Sequence, residues 1–309
     1  MTTTPEIIFG SAAASRRVGL MGIPYDTSAS LGWPGARYAP ARIREALSWL
    51  SQRVHDGAVY DVGARRIVDL SDGALLDWGD VAVAGHDHLL TLGRAKELQL
   101  EILRAGAFPL ALGGDHAVSL PLLEGFHEHF SGPLGIIQLD AHLDLVDENA
   151  RQGRHSGSSQ MRRALELGRY APARVVQVGV RGFNYPDQWE YIDAQGIEQI
   201  TADEVHDMGA LAAAERAWEL ASAGGAQVYL TVDIDVLEAC HAPGSGAHES
   251  GGLTTHQLTT FVSALVPRVA AMDIVEVNPL KDADFVTCEY AAYLTMMAAV
   301  RRLGSEPKP

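Results

Sequence analysis

From Phe108 onward, this chain alternates short apolar runs with stretches of helical periodicity, and that alternation constrains its fold more than any other feature. The runs are Phe108–Leu112, Ile136–Leu139, Val175–Val180, Val228–Val232 and Ala271–Val277. Between and after them, Ser119–Phe130, Gln160–Gly168, Asp187–Gln195, Asp203–Ala223, Thr254–Ala270 and Cys288–Arg302 read as helical. A nearly continuous apolar run of this length fits a strand covered on both faces. Strand–helix alternation then predicts an α/β fold: a mostly parallel sheet with helices on both sides. Ligands of such sheets bind beyond the carboxyl ends of the strands.

Three of those ends carry metal-type ligands. Ile136–Leu139 runs into Asp140, His142 and Asp144, alternate residues that can converge beyond an extended strand. Phe108–Leu112 runs into Gly113-Gly114-Asp115-His116, and Val228–Val232 into Asp233-Ile234-Asp235. His116, Asp140, His142, Asp144, Asp233 and Asp235 are thus candidate ligands, four of them carboxylates. That is generous for one ion and enough for two that share bridging carboxylates. Two ions about 3.5–4 Å apart can clamp and activate one water, which suits hydrolysis at a poor electrophile. Oxygen-rich ligation with two histidines suits Mn²⁺ better than Zn²⁺. Glu276 lies near the end of Ala271–Val277, where a carboxylate would attract a planar cation such as an amidinium or guanidinium. Strict alternation puts it on one face with Ile274, so position alone does not bring it to the site.

Earlier in the chain, Val18–Ile23 reads as a strand and Pro24–Tyr38 as a loop containing Gly32, Pro34 and Gly35. Pro40 opens a helix with Ile43, Leu47 and Leu50 at helical spacing. Ile67–Leu70 is a candidate strand and Asp77–Asp80 a turn. His86–Ala105 reads as a long helix whose Leu89, Leu92, Leu100 and Leu103 form a core stripe. Val146–Ser159 is a long polar loop, and Gly304–Pro309 a frayed tail. No composition break marks a linker, so residues 1–309 read as a single domain.

A net charge of −15 argues against nucleic acid or an anionic membrane as partner. No apolar run reaches the roughly 18 residues of a membrane span. Met1–Arg17 lacks the pattern of a signal peptide. Cys240 and Cys288, the two cysteines, read as buried free thiols. Together these features suggest a cytoplasmic protein. Neither a G-x-S-x-G elbow nor a G-x-x-x-x-G-K-[ST] phosphate loop occurs.

The motifs Gly113-Gly114-Asp115-His116, Asp140-Ala141-His142-Leu143-Asp144, Asp233-Ile234-Asp235 and Glu276-Val277-Asn278-Pro279 resemble those of the ureohydrolase superfamily. That superfamily includes arginase, agmatinase and formimidoylglutamase. Gly35-Ala36-Arg37 and Ile43-Arg44 also look like its N-terminal segment, and the resemblance runs from about Gly19 to Arg302. It implies an arginase-like three-layer α/β/α sandwich, assembled as a homo-oligomer, usually a trimer or hexamer. It implies two Mn²⁺ per subunit. His116, Asp140, Asp144 and Asp233 would hold one, and Asp140, His142, Asp233 and Asp235 the other, with Asp140 and Asp233 bridging. Glu276 would hold the substrate cation, and Asp144 or Asp235 could assist proton transfer to the departing amine.

One departure bears on the substrate. Many guanidine-cleaving members carry a His-Gly-Thr-like triplet whose histidine shuttles a proton. This chain has Arg154-His155-Ser156-Gly157-Ser158-Ser159-Gln160 there. Aligning on Gly157 puts Ser156 at the shuttle position, and aligning back from Arg162-Arg163-Ala164 puts Gly157 there. His155 falls one or two residues early, though loop conformation decides whether it reaches in. Small residues here resemble formimidoylglutamases, so N-formimidoyl-L-glutamate leads, with agmatine or a guanidino acid as alternatives. A dicarboxylate substrate would want cations, and Arg151, Arg154, Arg162, Arg163 and Arg181 lie in the nearby loops and helix starts. A binding homologue that has lost catalysis is the rival reading, and the complete ligand set argues against it.

Overall fold

A computed structural model describes residues 4–11, 13–28, 33–148 and 150–304. Gly32 of the expected first loop and residues 305–309 of the expected frayed tail lie outside the described residues. Among the described residues, eleven strands form: β1 Glu6–Phe9, β2 Arg16–Gly22, β3 Ala58–Asp61, β4 Arg66–Asp69, β5 Gly73–Asp80, β6 Phe108–Leu112, β7 Leu134–Leu139, β8 Tyr170–Val178, β9 Glu198–Ile200, β10 Gln227–Asp233 and β11 Ala271–Val275. The helices are α1 Ala39–Ser51, α2 His88–Arg104, α3 Ser119–His129, α4 Gln160–Glu166, α5 Pro186–Gln195, α6 Ala202–Met208, α7 Ala210–Ala221, α8 Thr255–Leu265 and α9 Val286–Leu303.

Nine strands form one sheet in the order β1-β5-β2-β6-β11-β10-β7-β8-β9, and β3 and β4 pair as a separate antiparallel ribbon. Every pairing in the large sheet is parallel except β1 with β5 at its edge. Parallel neighbours need crossovers, and the helices supply them on both faces. On one face Ile137, Leu139, Val176, Leu230, Val232 and Ile274 pack with the apolar sides of α1, α7, α8 and α9. On the other, Ile136, Val175, Tyr229, Ala271 and Val275 pack with α2, α3, α4 and α5. Residues of opposite parity along each strand therefore feed opposite cores, which is why these strands read as unbroken apolar runs. Each fully buried Leu or Ile in these layers contributes about 1.5–3 kcal/mol relative to exposure. Thr254 and Thr201 cap α8 and α6 through reciprocal bonds with Gln257 and Glu204.

Some expectations need correction. Asp77–Asp80 is not a turn but the end of β5, because Arg44 of α1 pairs with both Asp77 and Asp80 and makes acidic residues tolerable there. Leu89 is exposed, while Leu92, Leu100 and Leu103 are buried as expected. Cys288 is buried, but Cys240 is exposed, and both are free thiols. No helix among the described residues is long and apolar enough to cross a membrane.

Candidate metal centre

The four strands at the middle of the sheet, β6-β11-β10-β7, end level with one another. Ile274 of β11 pairs with Leu112, Asp233 of β10 with Val275, and Val232 with Leu139. Successive tips therefore deliver His116, Glu276, the Asp233–Asp235 pair and the Asp140–Asp144 group to one edge. The chain runs from β6 to β7 with β11 and β10 lying between them, which opens a crevice above the intervening tips.

Local chemistry aims each ligand. A Cβ on Gly114 would lie 1.5 Å from the Tyr25 carbonyl oxygen, so only glycine fits beside that strand-following segment. Asp115 then accepts from Ala117 N–H and from the backbone and hydroxyl of Ser28, which turns the chain and points His116 inward. Asp140 accepts the His142 N–H at 2.6 Å, Asp233 accepts the Asp235 N–H at 2.8 Å, and Asp235 accepts the Ala141 N–H at 3.1 Å. The Ala141 bond ties the β7 and β10 tips together, and Asp233 and Asp235 each keep Oδ2 for a ligand. Asp144 and Glu276 both have left-handed backbones, with φ of 52° and 61°. Non-glycine residues rarely sit there, and such strain concentrates at functional sites.

Nδ1 of His116 lies 3.1 Å from Asp140 Oδ2, 3.0 Å from Asp144 Oδ2 and 3.1 Å from Asp233 Oδ2. Nδ1 of His142 lies 3.0 Å from Asp235 Oδ2 and 3.4 Å from Asp140 Oδ1. Two groups thus have the reach of a metal site: His116 with Asp140 and Asp233, and Asp140 with His142 and Asp235. Asp140 belongs to both, offering Oδ2 to one group and Oδ1 to the other. Asp144 stands with the first group through His116.

The far nitrogen of His116 fixes its tautomer. Nε2 lies 3.0 Å from Thr231 Oγ1, and that hydroxyl gives its single proton to Asp273 at 2.6 Å. Thr231 must therefore accept from His116, so Nε2 carries a proton. Asp273 is held in turn by Ser119 and Tyr229 hydroxyls at 2.8 and 2.9 Å. Nδ1 is left facing three carboxylate oxygens, buried, yet without an aligned hydrogen bond. A neutral ring would point a lone pair at three anions. A divalent cation between them resolves this, and the oxygen-rich, two-imidazole donor set is chemically suited to one.

The electrostatics of the ion-free cluster agree. Burial works against charging His116, but the three carboxylates outweigh it and hold its pKa well above normal. Asp235, against the cost of burial and with help from Asp140, raises His142 likewise. Burial and the nearby Asp140 push Asp144 up to about 7. Burial, then Asp235 and Asp140, push Asp233 well above its usual range. Asp140 is also penalised by burial, yet the neighbouring imidazoles of His116 and His142 hold it below the normal carboxylate range. The cluster carries more carboxylate than its own imidazoles neutralise, so it calls for added positive charge.

Glu276 joins this edge because its positive φ breaks the strand alternation. Its Oε1 accepts the His116 N–H at 2.8 Å instead of following Ile274 into the opposite core. Burial and Asp115 push its pKa up to about 8. In the loop after β7, a Cβ on Gly157 would lie 3.5 Å from Glu276 Oε1 and from His116 N. Gly157 thus borders the cluster, whereas Ser156 is buried against Ser159 at 3.1 Å and His155 is exposed. Arg181 is turned away from a ligand role. Its guanidinium donates to the carbonyl oxygens of Gly179, Asp235, Val236, Leu237 and Glu249, which makes it a clamp on the β10 tip. Arg154 and Arg163 pair with Asp147 and Glu166, and Arg162 lies over the Tyr191 ring near Asp147. Sequence reasoning missed Thr231, Asp273 and Gln138, whose neighbours only the strand register reveals, and Gln160 of α4, which donates to Asp144.

A mostly parallel sheet flanked on both faces thus carries two imidazole–carboxylate groups at its carboxyl edge, an arrangement suited to metal-assisted hydrolysis. The Arginase family model matches residues 16–300, and the chain belongs to that family. Guanidinopropionase from Pseudomonas aeruginosa is 34% identical over 287 residues, covering 92% of this chain and 85% of the relative. Agmatinase from Chromobacterium violaceum is 34% identical over 278 residues, covering 90% and 81%. The crystal structure of formimidoylglutamase from Bacillus subtilis superposes with a TM-score of 0.84 at 25% identity, covering 96% of this chain and 90% of that one.

Proposed function

We propose that this chain is a binuclear manganese hydrolase that releases formamide from N-formimidoyl-L-glutamate. The observation that carries this reading is that Gly157, a residue without a side chain, is the loop position that borders Glu276, while the neighbouring His155 is exposed. His116, Asp140, Asp144 and Asp233 would hold one ion, and Asp140, His142, Asp233 and Asp235 the other. When bound, the pair supplies Lewis-acid activation of a water at neutral pH. Glu276 is buried and binds the amidinium face of the substrate, ionising as that cation arrives. Asp144 or Asp235 carries a proton to the nitrogen of the departing amine. The same reading takes residues 1–309 as one domain, assembled as a trimer or hexamer in the cytoplasm.

A guanidino acid is the second reading. Arg154, Arg162, Arg163 and Arg181 are engaged elsewhere, which leaves less cationic provision for a dicarboxylate than the sequence suggests. Guanidinopropionase, at 34% identity, fits that alternative as well. Manganese-loaded protein incubated with formimidoylglutamate, 3-guanidinopropionate, 4-guanidinobutyrate and agmatine separates the readings. Formamide from the first supports the proposal. Urea from a guanidino acid or agmatine, with no formamide, overturns it in favour of the alternatives. Turnover of none overturns both.

A further inference from the structure

A row of polar side chains, buried except for half-buried Gln199 at its outer end, crosses the apolar sheet directly beneath the cluster. Strand register places Gln199 of β9 beside Gln177 of β8, Gln177 beside Gln138 of β7, and Gln138 beside Thr231 of β10. On this face the neighbouring positions, Ile136, Val175 and Tyr229, are apolar core. Burying amides there is unfavourable unless each is satisfied. The bonds show how they are satisfied, and they all run one way. Gln199 donates to Gln177 Oε1 at 3.0 Å. Gln177 donates to Gln138 Oε1 at 2.8 Å and to the Leu143 carbonyl at 2.6 Å. Gln138 donates both its protons upward, to Asp140 Oδ2 at 2.7 Å and Asp144 Oδ2 at 3.2 Å.

These two oxygens are the ones that face His116 Nδ1. Because Gln138 Oε1 is occupied by Gln177, the amide cannot flip without breaking the chain. Its positive end is therefore locked toward the aspartates.

We propose that Gln138, fixed by Gln177 and Gln199, is a positioning residue that orients Asp140 and Asp144 for the ion on the His116 side. This rests on the two-ion reading above and deepens it by making the two ions unequal: Gln138 touches neither His142 nor Asp235. Gln160 also donates to Asp144 Oδ2, and the His142 N–H holds Asp140 Oδ1 separately, so loss of Gln138 falls on Asp140 Oδ2, the oxygen on the His116 side. Outer partners of metal ligands typically govern tenfold to hundredfold in affinity, and the row predicts that this falls on one ion.

The test is Mn²⁺ titration, by calorimetry and electron paramagnetic resonance, of wild type, Gln138→Met, Gln177→Met and Gln177→Glu. Gln138→Met is expected to weaken one ion by roughly tenfold to hundredfold and the other by less than about twofold. Gln177→Met leaves the Gln138 amide free to turn and is expected to give a smaller loss of the same kind. Gln177→Glu accepts where the native amide donates. It should flip Gln138 and present an oxygen to the aspartates, with a larger loss than Gln177→Met. If Gln138→Met does not fold, the two Gln177 variants decide, because the inference requires Gln177→Glu to be the worse of them. Wild type with two ions and unchanged affinities in the variants overturns this inference alone, as does equal weakening of both ions. Wild type without two ions overturns the metal reading and this inference with it.

Discussion

Nδ1 of His116 and Oδ2 of Asp233 stand 3.1 Å apart although β11 lies between the strands that carry them. The contact exists because β11 stops at Val275 and Glu276 turns aside with a positive φ, clearing the space above its own tip. The residue that vacates the crevice is the one proposed to serve as its cation-binding wall.

Glu276→Gln keeps the shape of that wall and removes its charge. Loss of a hydrogen bond to a charged group is worth about 1.5–3 kcal/mol, so kcat/KM for a cationic amidine or guanidine should fall roughly tenfold to hundredfold. Mn²⁺ content should stay at the wild-type level. Steady-state kinetics with metal analysis checks both, and unchanged kinetics would remove Glu276 from the site.

The pH dependence has a definite sign. Asp144, pushed up to about 7, and Glu276, pushed up to about 8, hold protons in the folded, metal-free chain that the unfolded chain gives up near pH 4. Folding binds those protons, so the metal-free chain should lose stability as pH rises from about 4 through 8. His116 and His142, held upward, extend the same trend above pH 6.5. Asp140, held low, has the opposite sign and acts only below about pH 4. Cations replace these protons. The gap in Tm between Mn²⁺-loaded and metal-free protein should therefore widen from pH 5.5 to 8.5. Thermal melts across that range would contradict the electrostatics if the gap stayed constant or narrowed.

Gly114→Ala places a methyl 1.5 Å from the Tyr25 carbonyl oxygen, backbone that cannot rotate away. Overpacking of this kind costs about 1–3 kcal/mol, and here the relaxation must move His116. Denaturant unfolding should show that loss together with weaker Mn²⁺ binding. Full stability would mean the Tyr25 segment is looser than its contacts imply.

Arg181→Ala separates a clamp from a substrate receptor. The guanidinium joins five carbonyl oxygens of the β8 and β10 tips and the Glu249 loop. Leaving such buried acceptors unpaired costs about 1–3 kcal/mol. A lower Tm is expected, with no KM penalty peculiar to carboxylate-bearing substrates over agmatine. A selective rise in KM for acids alone would return Arg181 to the pocket.

Much of this arrangement is legible in the sequence because each ligand cluster is local. His116, the Asp140–Asp144 group and the Asp233–Asp235 pair each follow an apolar run within a few residues, so alternation and strand-end logic find them without knowing the strand order. The glutamine row is invisible for the opposite reason. Gln138, Gln177 and Gln199 are single amides in separate strands, and only register makes them one chain of bonds. Glu276 defies strand alternation because one backbone angle re-aims it. Asp77 and Asp80 look like turn residues until Arg44 is placed beside them. Arg181 reads as a free cation because nothing in its sequence neighbourhood foretells five distant carbonyls.

In the proposed function, strand tips gather one imidazole–carboxylate cluster around a pair of cations sharing Asp140. The most direct measurement is the Mn²⁺ stoichiometry of dialysed protein, with its electron paramagnetic resonance spectrum, in wild type and Asp140→Ala. Two ions per chain are expected, with the exchange-coupled spectrum of ions about 3.5–4 Å apart, and loss of both the coupling and the activity in Asp140→Ala. Two uncoupled ions, a single ion, or an Asp140→Ala variant that keeps the coupled pair would contradict it.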